Sequence, residues 1–265
     1  MPSNDVQQLF VSGSGMMIVA IVAFVVWWRL SRVQIRWFWV GAGLWTIAVL
    51  LKIIWSALAD ELVLNSFKAL PHPLYVALGA LYGGVQSSVF EMGFTLLAVL
   101  IWHQLGRDAG RAIAVGVGAG AFEAFLLGFV AFVGALALTL PDMEEGLKEL
   151  EATAAVTPLL WLLGSVERVI AILCHASSRA LILLGMAKRK YLLVFWGFLI
   201  FTLLDGIASG FDVAGLIGKI SMWWIELALA PVALVSIPVL VWCYKRWGGP
   251  ADESQPVHSP PTLSL

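Results

Sequence analysis

The sequence predicts an all-α protein, a polytopic membrane helical bundle of about seven transmembrane helices with its N-terminus outside and its C-terminus in the cytoplasm. Three observations predict this fold. Hydrophobic residues make up 60% of the chain and charged residues only 12%, so the chain has too little polar surface to cover itself in water. The apolar residues fall into long runs, and most basic residues fall into the loops on one side of those runs.

Seven apolar runs are long enough to cross a bilayer, which takes about 20 residues of helix for a hydrocarbon core about 30 Å thick. Their ranges are 11–28, 37–59, 73–105, 112–140, 154–187, 191–214 and 221–243. None shows the period-2 alternation of a barrel strand, and open backbone is too costly in lipid, so each is predicted to be a helix. Residues 1–247 are expected to form one transmembrane domain, and the Pro- and Ser-rich residues 248–265 a disordered cytoplasmic tail.

The third and fifth runs are longer than one span requires. In the third run, Gly79, Gly83 and Gly84 are consistent with a hinge or a re-entrant entry. A tilted helix would also absorb the extra length. The sequence leaves these alternatives open.

The distribution of basic residues predicts the orientation, because short cytoplasmic loops carry an excess of Lys and Arg. Ten basic residues fall after the first, third, fifth and seventh runs: Arg29, Arg32, Arg36, Arg107, Arg111, Lys188, Arg189, Lys190, Lys245 and Arg246. The opposite side has only Lys68, Lys148 and Lys219, together with an acidic loop of Asp142, Glu144, Glu145, Glu149 and Glu151. Seven helices with an external N-terminus fit every loop.

Charge and cysteine content exclude other classes of protein. The net charge is -1, and no basic patch is present that would bind nucleic acid. Both cysteines, Cys174 and Cys243, lie in apolar runs and are interpreted as free thiols. The predicted environment is the lipid bilayer of a cell membrane, which the chain crosses several times.

Four of the predicted helices carry an ionisable side chain near one depth. Counted from the cytoplasmic ends at 1.5 Å per residue, Glu123 and His175 lie about 17 Å deep, and Glu91 and Asp205 lie about 21 Å deep. A charge at bilayer depth costs at least about 2.5 kcal/mol, so such residues indicate a functional site if they meet. These residue types are also metal ligands and acid-base groups.

The fifth and fourth runs add two patterns that place these groups inside the protein. Arg168, His175 and Arg179 project within about 40° of one another on a helix, with Glu167 beside them. In the fourth run, small residues recur every four positions, a spacing that lets helices approach closely in lipid; they are Gly116, Gly120, Ala124 and Gly128. Glu123 lies beside this stripe and is expected to face protein.

Each of these polar residues also has a structural interpretation. Glu167 with Arg168 or Arg179 would form an ion pair without catalytic meaning, and Lys52 in the second run would reach the interface or pair with a carboxylate. A lone His such as His175 would be a packed, hydrogen-bonded imidazole. The shared depth supports a common site, and the structural interpretations stay open beside it.

Four segments together resemble a known family. They are Ala80-Leu81-Tyr82-Gly83-Gly84 leading to Val89-Phe90-Glu91, then Gly116-Val117-Gly118-Ala119-Gly120-Ala121-Phe122-Glu123-Ala124, then Glu167-Arg168 followed by His175, and Phe201-Thr202-Leu203-Leu204-Asp205. Their order, over roughly residues 70–210, resembles the YhfC-type membrane peptidases, relatives of the CAAX-processing and PrsW-like intramembrane metalloproteases. The corresponding family motifs are Phe-Glu-Glu, Gly-x-Gly-His-Gly-x-x-Glu-Ala, Glu-Arg with a later His, and His-x-x-x-Asp.

The chain departs from those motifs at four positions. It has Met92 where the family has a second Glu and Thr95 where the family has an Arg. It also has Ala119 and Phe201 where the family has His. Of the family's imidazoles at these motifs it keeps His175.

The resemblance implies a zinc-dependent intramembrane peptidase that cleaves a membrane protein or peptide. It implies His175, Glu123 and Asp205 as metal ligands and Glu91 as the candidate base, with Glu123 also counted among the catalytic carboxylates. Glu167, Arg168 and Arg179 would be supporting residues. Two alternatives remain open: a catalytically inactive relative that binds a helix or lipid, suggested by Ala119 and Phe201, and a small transporter or proton relay that uses the same carboxylates.

Overall fold

The described part of the chain, residues 4–140 and 143–247 of the computed structural model, is entirely helical apart from its connections. It forms eight α-helices, α1 (Asn4–Ser31), α2 (Arg36–Phe67), α3 (His72–Ile101), α4 (Ala109–Ala137), α5 (Glu144–Val156), α6 (Leu160–Ala187), α7 (Tyr191–Val213) and α8 (Trp223–Trp247), with one 3-10 helix, His103–Gly106. The predicted all-α membrane bundle is confirmed. The predicted tail lies outside the described residues, and the orientation of the termini stays a prediction.

Six of these helices are long and apolar enough to cross a membrane: α1, α3, α4, α6, α7 and α8. They correspond to six of the seven predicted runs. The remaining run corresponds to α2, a helix of 32 residues that is not among the six. The second half of α2 is its polar part, because it contains Lys52, Asp60 and Glu61.

Two predicted boundaries change in the structure. The third run ends as an α-helix at Ile101 and continues as the 3-10 helix. The fifth run is divided, because the acidic loop folds into α5 and the chain turns before α6 begins at Leu160. The turn is held by the start of α8 and the residue before it: the Thr157 hydroxyl accepts the Met222 N–H (3.2 Å), and the Trp223 indole donates to the Pro158 carbonyl (2.6 Å). The division shortens the fifth run, whereas α3 is a continuous helix of 30 residues, and its tilt in the bilayer stays a prediction.

The glycines of the third run serve helix packing and not a hinge, because α3 continues through them without a break. A Cβ on Gly84 would lie 2.8 Å from Gly206 Cα and would also contact the Thr202 carbonyl. A Cβ on Gly79 would lie 2.8 Å from the Val213 side chain. Since Gly206, Thr202 and Val213 all belong to α7, the small residues let α3 and α7 pack almost backbone to backbone.

Helix α6 is the centre of the bundle and contacts α1, α3, α4, α7 and α8. Within its most apolar stretch 83% of the residues are buried, against 44% or less in the other five spanning helices. Most polar residues of α6 are buried among its neighbours; they are Arg168, His175, Ser177, Ser178 and Arg179. By contrast, no residue of the short acidic helix α5 is buried.

Candidate metal centre

Helices α3, α4 and α6 each bring a carboxylate or an imidazole to one point inside the bundle. Glu91 of α3, Glu123 of α4 and His175 of α6 each offer one ligand atom, and these atoms all lie within 4.8 Å of one another. Glu91 and His175 are buried, and the side chain of Glu123 is 18% exposed. These are three of the four residues that share a depth in the sequence.

The small-residue stripe of α4 is what allows this approach. A Cβ on Gly116 would lie 2.6 Å from Ala176 Cα, and one on Gly120 would lie 3.1 Å from His175 Cβ. Because neither glycine carries a side chain, α6 packs directly on α4 at the level of His175. Glu123, three residues after Gly120, then faces protein as the sequence predicts.

The imidazole of His175 is held from both sides. Its Nε2 lies 2.8 Å from Glu123 Oε2, and its Nδ1 lies 2.6 Å from Nη1 of Arg179 and 4.0 Å from Glu91 Oε2. Since a guanidinium can only donate, Nδ1 is the acceptor in this contact. In this arrangement the ring carries its proton on Nε2 and donates it to Glu123. The same Arg179 also donates to Glu91 Oε2 through Nη2, at 3.4 Å.

Lys52 joins the cluster from α2. Its Nζ lies 3.0 Å from Glu91 Oε1, 3.0 Å from the Ser87 hydroxyl and 3.7 Å from Asp205 Oδ2. Asp205 of α7 is therefore connected to Glu91 through the lysine, and it is not part of the group of three ligand atoms. The sequence interpretation of Lys52 as a partner of a carboxylate agrees with this contact, but it did not connect Lys52 with the site. A charge inside a predicted span was the available signal.

Arg168 completes the cluster on the side of Glu123. Its Nη1 donates to Glu123 Oε1 at 2.7 Å, and its Nη2 pairs with Glu167. Of the two partners proposed for Glu167 from sequence, Arg168 is the one that pairs with it, whereas Arg179 pairs with Glu91. Arg168 is buried, while the Glu167 side chain is 42% exposed.

The four positions that depart from the family motifs are all buried. Met92, Thr95 and Ala119 have no exposed surface, and Phe201 is 1% exposed. Phe201 packs against the site: its ring meets that of His175 edge-on, with centroids 4.9 Å apart. The Arg179 guanidinium lies 5.7 Å from the centre of the Phe201 ring. An apolar ring thus stands beside the imidazole, at a position where the family resemblance predicts a second imidazole.

The charged side chains of the cluster come from α2, α3, α4, α6 and α7 and form ion pairs with one another. Lys52, Arg168 and Arg179 each contact a carboxylate, and Glu91, Glu123, Asp205 and Glu167 each contact a cation. Such pairing offsets much of the cost of removing these groups from water. Chemically, the arrangement offers a divalent cation one imidazole and two carboxylates, and it also offers several proton donors and acceptors in contact.

Comparison with known proteins agrees with this architecture. The family model described as YhfC intramembrane metalloprotease matches residues 15–229. No curated protein and no solved structure matches the chain. The matched range covers most of the described spans and every residue of the cluster. Together with the six apolar helices, it establishes a multi-pass membrane protein.

Proposed function

The chain belongs to the YhfC intramembrane metalloprotease family, and on that premise we propose that Glu91, Glu123 and His175 bind a divalent metal ion that serves hydrolysis of a peptide bond within the membrane. One observation carries the proposal. Side chains from three separate helices place their ligand atoms within 4.8 Å of one another. The substrate class, a membrane-embedded protein or peptide, follows from the family name and from the depth of the site.

The donor set fits zinc. Catalytic zinc sites take three protein ligands from His and Asp or Glu and leave one position open. One imidazole and two carboxylates supply that number here. When bound, zinc supplies Lewis-acid polarisation of a carbonyl and makes water more acidic.

The residues around the three ligands would orient them. Glu123 is fixed by Arg168 at 2.7 Å, and Glu91 is fixed by Lys52 at 3.0 Å. Carboxylates that bind metal are commonly held by such hydrogen bonds, which set their direction. Metal binding through Nε2 of His175 would require the ring proton to move from Nε2 to Nδ1, because a neutral imidazole binds metal through the nitrogen that carries no proton. Arg179 would then have to turn its Nη1 away from Nδ1, and Glu123, as a ligand, would stay an unprotonated carboxylate.

Two ligand sets are compatible with the geometry. In the first, Glu91 is the third ligand, as its position beside His175 and Glu123 favours. In the second, which the family resemblance implies, Asp205 is the third ligand and Glu91 is the base. The second set needs Asp205 to leave Lys52, which is 3.7 Å away. We favour the first set because the ligand atoms of Glu91, Glu123 and His175 lie within 4.8 Å of one another, whereas Asp205 is not part of that group.

The test is the zinc content of the detergent-purified protein. We expect near-stoichiometric zinc that His175→Ala removes. His103→Ala is the matched control, because His103 is exposed in the 3-10 helix and is expected to leave the zinc in place. Metal-free wild-type protein after purification in zinc-containing buffer would rule the proposal out. Hydrolysis of a membrane peptide that Glu91→Gln abolishes would extend the result from binding to catalysis.

A second candidate is a relative that keeps the fold and cleaves nothing. Phe201 beside His175 favours it, because the ring occupies a place where an added ligand would lie. The full pairing of Glu91 and Glu123 with Lys52, Arg168 and Arg179 also favours it, since these carboxylates need no metal to be neutralised. This candidate predicts a protein that is stable and metal-free and that does not hydrolyse peptides.

A further inference from the structure

The second half of α2 presents a row of polar side chains to α3. Lys52, Ser56 and Asp60 are spaced four residues apart, so they lie along one face of the helix. Eight residues of helix separate the first from the last, a distance of about 12 Å. Asp60 in turn lies seven residues before the end of α2 at Phe67. The row therefore leads from the metal centre toward the membrane face at which α2 ends.

Polar groups of α3 meet this row at every step. The Lys52 ammonium donates to the Ser87 hydroxyl at 3.0 Å, and Gln86 Nε2 donates to the Ser56 hydroxyl at 2.7 Å. The Tyr82 hydroxyl donates to Asp60 Oδ1 at 2.7 Å. We call these six residues the α2–α3 polar seam: Lys52, Ser56, Asp60, Tyr82, Gln86 and Ser87.

The polar seam is open along its length. Lys52, Ser56, Asp60, Tyr82 and Gln86 are all partly exposed, and only Ser87 is buried. On the other side of α3 the packing is tight, because Gly84 lies against α7. The exposed surface of the seam therefore lies on the side of α3 that faces α2 and not on the side that faces α7.

Hydrocarbon is an unfavourable environment for the exposed polar surface of the seam. The ammonium group of Lys52 and the amide of Gln86 are partly exposed within predicted spans, where such groups are costly in hydrocarbon and are tolerated where they line a water-filled cavity. The remaining surface of α2 has the opposite character, since Ile54 is 56% exposed and Leu58 is 71% exposed. The helix therefore separates a polar face from a lipid-facing one.

We propose that the α2–α3 polar seam lines a water-filled crevice that runs from the membrane face at the C-terminal end of α2 to the centre at Glu91. Lys52 stands at its inner end and contacts both Glu91 and Asp205. The crevice would deliver the water that a hydrolase needs at about mid-membrane depth. The role of the crevice in supplying water for hydrolysis rests on the proposed function. The existence of the crevice does not depend on metal binding or on turnover.

The experiment is thiol labelling in membrane vesicles with a membrane-impermeant, cationic methanethiosulfonate reagent. Ser56→Cys places a thiol in the seam, and Leu58→Cys places one on the lipid-facing surface two residues away. Ser66→Cys is exposed near the end of α2 and marks the side of the membrane from which the seam opens. The wild-type protein gives a low background, because Cys174 and Cys243 are both buried.

We expect Ser56→Cys to react at least about tenfold faster than Leu58→Cys, because a thiolate forms in water and not in hydrocarbon. We also expect it to react from the same side as Ser66→Cys. Gln86→Cys lies on α3 opposite Ser56 and is expected to react in the same way. It shows whether the reactivity of Ser56→Cys comes from a local change in structure at that position. Equal rates at positions 56 and 58, or reaction only from the side opposite Ser66→Cys, would overturn the crevice.

The outcome is separate from that of the metal test. A labelled seam in a zinc-free protein would support the crevice and contradict the metal centre. Zinc-containing protein in which Ser56→Cys and Gln86→Cys do not react would support the metal centre and contradict the crevice.

Discussion

Arg179 lies one helical turn after His175 on α6, and its Nη1 is 2.6 Å from the Nδ1 of that histidine. The arginine has no exposed surface, and its other terminal nitrogen donates to Glu91 at 3.4 Å. One guanidinium therefore fixes the direction of the imidazole and neutralises a buried carboxylate from another helix. Arg179 therefore contributes to the charge balance of the cluster and to the orientation of His175.

We predict that Arg179→Met destabilises the protein, because it leaves Glu91 with less compensation in a buried place. Removing one partner of a buried ion pair typically costs about 3–5 kcal/mol. The measurement is thermal unfolding in detergent. Lys188→Met removes a basic residue from an exposed position after α6 and serves as the control. Equal melting temperatures for the two variants would mean that Arg179 contributes no net stabilisation.

The two possible ligand sets predict different zinc contents. If Glu91 is the third ligand, Glu91→Gln loses most of its zinc and Asp205→Asn retains it. If Asp205 is the third ligand, the result is reversed. Both changes replace a carboxylate by an amide of similar size, so differences in packing are small. The measurement is zinc per chain after identical purification. Full zinc in both variants would place the metal elsewhere.

Much of the fold follows from sequence because lipid imposes simple rules. In lipid, a run of about 20 apolar residues forms a helix because its backbone hydrogen bonds must be satisfied within the segment. Applied to this chain, the rule predicted seven helices, and all seven runs correspond to helices in the structure. The same rule fails at run boundaries. The polar 144–156 segment forms α5, and its amphipathic character is not visible in a search for apolar runs.

The sequence predicts the depth of each site residue in the membrane but not the direction in which its side chain points. Depth along each helix follows from residue number, so Glu91, Glu123 and His175 could be placed at one level. The rotation of each helix about its axis does not follow from residue number. For that reason Asp205, at the same depth, meets Lys52 and not the other three, and the contribution of Lys52 itself was missed.

We predict that the close approach of α4 and α6 depends on Gly116. A Cβ at this position would lie 2.6 Å from Ala176 Cα and 2.8 Å from the His175 carbonyl oxygen, both of them backbone atoms. Gly116→Ala should therefore lower the free energy of unfolding by about 1–3 kcal/mol, as expected for overpacking.

Gly134→Ala on the same helix is the matched control, because no atom lies within 4 Å of its added Cβ. Alanine is the better helix former by about 0.5–1 kcal/mol, so this variant should be neutral or slightly stabilised. Denaturant titration of both variants in mixed detergent measures the difference. A Gly116→Ala variant as stable as Gly134→Ala would contradict the predicted overpacking at Gly116.

Phe201 provides the sharpest test of whether the centre retains metal chemistry. Its ring stands 4.9 Å from that of His175, centroid to centroid, at a position where the family resemblance predicts His. We predict that Phe201→His adds a ligand and tightens zinc binding at least about tenfold, as expected when a further imidazole joins a site with few ligands. Phe198→His, on the same helix about one turn away and partly buried, is the control and should leave the affinity unchanged. The measurement is competition for zinc with a chelator of known affinity. If both variants bind zinc no better than the wild-type protein, the arginine and lysine pairs have replaced the metal, and the inactive relative becomes the better description.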